Sequence, residues 1–140
     1  MPIKTFRGLM LHDAVDTIVL HTNTGSTGYR IVKFELFPGL PNVNQDSLVN
    51  IFKVPQGAAS TTSDFSDQTL LASGLYMARE SNFDQFQHVV FDTEIFNQDI
   101  YITHTEGGAS RTINYYIELE QVKLDLNENT VATLKDIRNA

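Results

Sequence analysis

The run TINYYIELEQV, residues 112–122, constrains this chain more than any other stretch. Ile113, Tyr115, Ile117 and Leu119 fall on one side, and Asn114, Tyr116, Glu118 and Glu120 on the other. Four repeats of period two describe a strand with one dry face and one wet face. A dry face must be covered, and an antiparallel strand finds its cover in a second layer. The chain therefore reads as an all-β protein whose work is done by surfaces.

Comparable segments recur along the sequence. Residues 5–10, 17–21 (TIVLH), 29–37 (YRIVKFELF), 47–54 (SLVNIFKV), 70–78 (LLASGLYMA), 88–91 and 100–104 all read as strands. In 29–37 both faces carry apolar groups, which predicts a central strand. The Asn23–Gly28 stretch and the Gly107-Gly108 pair supply positive-φ positions for hairpin turns. Gly74 predicts a bulge. Residues 56–69 form a polar loop in which Phe65 is the expected anchor, and 79–87 read as a loop with weak helical character. About eight short strands at roughly ten-residue spacing predict one antiparallel β-sandwich, jelly-roll-like, spanning residues 1–140.

The segment 124–140 departs from this pattern. Val131, Leu134 and Ile137 recur at helical spacing, Asn129 suits an N-cap, and Lys135 and Arg138 suit the C-terminal end of a helix dipole. An extended arm that packs on a neighbouring subunit is the rival reading, and both stay open.

Composition narrows function by exclusion. With 17 acidic against 10 basic residues the net charge is −7, so a phosphate backbone is repelled and nucleic acid is not an expected partner. Cysteine is absent, which removes disulfides and thiol nucleophiles. The N-terminus has no continuous apolar core of a signal peptide, and no run approaches the ~18 apolar residues of a membrane span. The expectation is synthesis in a cytoplasm, with no membrane contact.

Catalytic constellations are not evident. His12, His21, His88 and His104 stand apart with no metal-ligand spacing, and read as surface or strand-end residues. Asp64 and Asp67 place two acids three apart in an oxygen-rich loop, a weak calcium candidate that Asx-type turns explain better. No G-x-S-x-G elbow occurs, and the Gly25/Gly28 pair lacks the Lys-Ser/Thr of a phosphate loop. No enzyme and no cofactor are expected. Tyr116 is more suggestive: a tyrosine on a wet face beside Glu118 and Glu120 suits a protein interface or a sugar groove. Tyr116, Val131, Leu134 and Ile137 are the interface candidates.

FNQDIYITH (residues 96–104) and NYYIELEQVKLDLNENTVATLKDIRN (114–139), with TFRGLM and VLHTNTGSTGYRIVKFELFP before them, resemble small virion structural proteins of tailed phages that infect marine bacteria. The resemblance spans nearly the whole chain and brings no catalytic motif. It implies a capsid decoration or tail-associated protein, assembled in the host cytoplasm and resident in the virion. Its implied partners are further copies of itself, most simply a trimer, and other virion proteins such as the major capsid protein. A tail- or fibre-associated module that binds a carbohydrate receptor is the alternative.

Overall fold

The computed structural model describes residues 3–20, 27–40, 43–78, 84–107 and 110–124, Asp84 through its backbone alone. Eight strands follow one another: β1 (Ile3–Met10), β2 (Ala14–Ile18), β3 (Thr27–Pro38), β4 (Gln45–Phe52), β5 (Leu70–Ala78), β6 (Asp84–Val90), β7 (Ile100–Glu106) and β8 (Ile113–Lys123). They form two antiparallel sheets, β1-β8-β3 and β2-β7-β4-β5-β6. Among the described residues there is no helix.

β8 is the middle strand of the smaller sheet, as its alternation requires. Ile113, Ile117 and Leu119 are fully buried and Tyr115 nearly so. They meet Val49, Ile51, Ala72 and Ile102 of the larger sheet in one core. Each such aliphatic side chain contributes about 1.5–3 kcal/mol by leaving water.

The order of strands is that of a jelly roll with one strand displaced. A regular eight-stranded jelly roll pairs its strands 1-8-3-6 and 2-7-4-5. Here β6 stays hydrogen-bonded to β5, from Ala78↔Asp84 to Ala72↔Val90. The larger sheet gains a fifth strand, and β3 becomes an edge.

Several expectations need correction. β3 is not central, although both of its faces are apolar. Its partners on β8 step from Ile31↔Leu119 to Lys33↔Glu118, leaving Val32 as a bulge. The extra residue reverses the alternation. Tyr29 and Ile31 point inward before it, Phe34 and Leu36 after it, while Lys33, Glu35 and Phe37 are exposed. Both apolar sets thus reach the same core from an edge strand.

Residues 84–87 belong to strand β6 and not to a loop, because antiparallel pairing with β5 outweighs their polar composition. Gly74 makes no bulge: it pairs in register with Val49 and His88. A Cβ there would lie 2.9 Å from both Leu36 Cδ1 and Phe34 Cε2, so close packing between sheets requires the glycine. The bulge of that pair lies instead between Ile51 and Phe52.

Neither expected hairpin exists. β2 and β3 lie in different sheets, as do β7 and β8. Both connections cross the sandwich, and the Gly107 amide donates to the Asp46 carbonyl at 2.9 Å on the way. Glycine and asparagine signal a turn, but pairing partners decide whether the turn closes a hairpin. Residues 125–140 lie outside the described residues, and with them the helix-or-arm question and Val131, Leu134 and Ile137.

Candidate functional site

The outer face of the small sheet is built by cross-strand rows. Arg7, Tyr116 and Glu35 stand side by side on β1, β8 and β3, and so do Leu9, Asn114 and Phe37. Between them lies a shallow trough of about 530 Å³. Leu9 is 55% exposed and Phe37 71%, so one end is apolar. At the other end the Tyr116 hydroxyl donates to Glu118 Oε2 at 2.6 Å. Lys33 Nζ stands 5.9 Å from the Tyr116 ring centre, a cation–π contact. The hydrogen bond to Glu118 holds the phenol proton above its ordinary range. The ring is fixed in orientation, with Lys33 over one of its faces. This arrangement suits a planar or apolar group laid along the trough.

Asp64 and Asp67 do not converge. Asp64 Oδ1 accepts from the Ser66 amide at 3.0 Å and its hydroxyl at 2.6 Å. Asp67 Oδ1 accepts from the Thr69 amide at 2.8 Å and its hydroxyl at 2.7 Å. Each carboxylate closes its own Asx turn, and the Ser66 hydroxyl draws the Asp64 pKa below its ordinary value. No cluster of three or more His, Cys, Asp or Glu side chains suited to a metal occurs among the described residues. Phe65 meets Phe91 edge-on at 5.2 Å yet stays 54% exposed. It anchors the loop partly rather than entering the body.

The histidines are not all superficial. His12 is exposed and His21 lies outside the described residues. His104 is fully buried on the inner face of β7, although sequence placed it at a strand end. Its Nδ1 stands 2.9 Å from the Leu11 carbonyl, which can only accept, so Nδ1 carries the proton. Nε2 therefore accepts from the Ser47 hydroxyl at 2.9 Å. Ser47 in turn accepts from Gln45 Nε2 at 2.8 Å, and Gln45 also donates to the Thr112 carbonyl at 2.9 Å. Burial pushes the His104 pKa down, against the opposing pull of the Leu11 carbonyl and of Glu106 and Asp13.

A serine within reach of a histidine oriented by a carbonyl has the geometry of a nucleophile and its base. Here both members are sealed, with 0% exposure each. No substrate atom reaches Ser47 in this arrangement. The chain Thr112–Gln45–Ser47–His104–Leu11 joins β4 and β7 of the large sheet to the chain entering β8 and leaving β1. Sequence could not reveal it, because its members are scattered and become adjacent through pairing of β4 with β7.

A second polar group closes another part of the sandwich. Lys53, its side chain 1% exposed, places Nζ 3.7 Å from the Glu94 carboxylate. The 91–99 connection lies across β3 there, with Phe96 and Tyr29 exchanging backbone hydrogen bonds of 2.8 and 2.9 Å.

The chain matches no family model, no curated protein and no solved structure. Fold and surfaces define an antiparallel β-sandwich of eight strands with an aromatic trough on its narrower sheet.

Proposed function

We propose that this chain is a non-enzymatic structural protein of a phage virion, a capsid decoration protein held by many weak protein–protein contacts. The observation that carries the reading is the trough around Tyr116. It joins an oriented aromatic ring, flanking charges from Arg7 and Glu35 and the exposed Leu9 and Phe37 on a rigid sheet. Aromatic centres with polar rims are what interfaces use. The resemblance of residues 96–104 and 114–139 to virion proteins supports the same reading.

Each contact needs about 1,000 Å² of buried surface to be specific, and repetition across a particle multiplies modest affinity. The partners in this reading are further copies of the chain, most simply as a trimer, and the major capsid protein. Arg7, Tyr116 and Glu35 also suit a sugar ring stacked on the tyrosine, which keeps a fibre-associated carbohydrate-binding role as the second reading. Quantitative proteomics of purified virions tests the proposal. A chain present in fixed ratio to the capsid protein supports it, and absence from particles sinks it. A glycan array separates the second reading.

A further inference from the structure

The displaced β6 leaves a gap of defined shape. In a jelly roll the sixth strand would hydrogen-bond to the far edge of β3. Here that edge carries a single bridge among the described residues, Tyr29 with Phe96. Beyond it, residues 32–37 have no strand beside them among the described residues. β6 overhangs this place from the larger sheet and turns Phe86, His88 and Val90 toward it. Between the two strands runs a groove of about 450 Å³ lined by Val32, Phe34, Leu36, Phe86, His88 and Val90. Phe86 is 64% exposed although it lies on the inward face of its sheet. An inward aromatic left in water is what a sandwich shows where one strand is missing.

We infer that this slot receives the segment 125–140 of a second copy of the chain, added as an extended strand along the free edge of β3. The inference rests on the proposal that the chain works in many self-associated copies. Strand addition satisfies the open backbone groups of an edge and sets alternate side chains into pockets. The segment holds sixteen residues, so it spans about 50 Å when extended at ~3.3 Å per residue. Val131 and Ile137, six residues apart, fall on one face of an extended strand and supply apolar groups for the groove.

The segment's point of departure argues for exchange between copies. Leu124 is buried, packed against Gly28 at the start of β3 beside Ile95. Ile95 and Phe96 thus stand between Leu124 and the chain's own slot, where Phe96 already occupies the edge at Tyr29. A neighbour's segment enters from the Phe37 end without passing them.

The absence of cysteine makes the test clean. Ile137→Cys and Phe86→Cys are made in separate full-length preparations, mixed and oxidised, with Val19→Cys on the opposite flank as control. Formation of a disulfide-linked pair of chains with Phe86→Cys and not with Val19→Cys is expected. Equal linkage to both sites, or none, overturns the assignment. With both cysteines in one chain, linked multimers are expected, and a closed loop within one chain overturns exchange.

Hydrogen exchange supplies a second reading. Edge amides among residues 32–37 are expected to lose protection when the chain is truncated after Leu124, and unchanged protection refutes the slot. The two proposals fail separately. Linkage that misses the slot while truncation still blocks particle incorporation defeats the slot alone. Linkage in the slot by a chain absent from virions defeats the virion role alone.

Discussion

Where β1 meets β2, residues 11–13 carry the chain from one sheet to the other, with Asp13 at φ 54° making the corner. The Leu11 carbonyl in this turn is held by His104. On the opposite flank β3 and β6 also lie at the edges of their sheets, yet no short connection joins them and a groove runs between. Covalent continuity and an internal polar chain seal the first flank, and on the proposed reading the second receives another segment. Rigidity and, on that reading, the capacity to bind stand on opposite sides of one core.

The largest effect tests the sealed flank. His104→Ala orphans the Ser47 hydroxyl in a closed interior and strips the part-buried Leu11 carbonyl of its donor. At about 1–3 kcal/mol for each unsatisfied group, the loss of stability in urea unfolding is expected to reach ~3 kcal/mol. The same substitution at His88 on the open flank is expected to cost about 1 kcal/mol or less. Equal losses would erase the distinction between the flanks.

Gly74→Val probes the contact from which the open flank is built. The added side chain meets Leu36 and Phe34, and overpacking of this kind costs about 1–3 kcal/mol. Thermal unfolding checks it, and an unchanged midpoint would show that β3 yields freely.

Acid sharpens the comparison further. Burial lowers the pKa of both His104 and His88 from the ordinary 6.5, with Glu35 opposing the shift at His88. Below pH 6.5 the unfolded chain takes up protons that the native histidines refuse. Their contribution is whole above pH 6.5 and is lost as pH falls below it toward the lowered native values. Each histidine adds a slope of at most about 1.4 kcal/mol per pH unit. Urea unfolding between pH 7.5 and 5.5 is expected to show a smaller loss in His104→Gln than in the native chain.

The smallest expected effect lies on the outer face. Arg30 pairs with Glu120 at 3.1 Å with both side chains partly in water, where solvent screening leaves such a pair little weight. Tyr116→Phe should likewise leave the urea midpoint close to that of the native chain while weakening self-association measured by light scattering. A large loss of stability without a change in association would make Tyr116 a folding residue.

Legibility differs between the same regions. The strand at residues 112–122 and the place of Tyr116 on its wet face follow from strict alternation, which survives any choice of neighbour. The Asx turns at Asp64 and Asp67 are equally local. One bulged residue at Val32 inverts the phase on which a two-residue period is read, so the sequence of β3 points to a central strand where an edge strand stands. The start of β6 reads as a loop because Gln85 and Gln87 lie on the wet side of an edge strand, where polarity and pairing coexist. Of the trough, sequence marks Tyr116, but Arg7, Leu9, Glu35 and Phe37 come together through pairings of β1 and β3 with β8.

By itself the sequence determined an all-β chain of about eight strands in two layers, because burial with period two leaves few other ways to cover an apolar face. Tertiary structure decided which strands are neighbours: that two glycine-marked connections cross between sheets, that β6 stays with β5, and that Ser47 reaches His104. These are contacts between distant segments, selected by the packing of the whole core, and no local pattern encodes them.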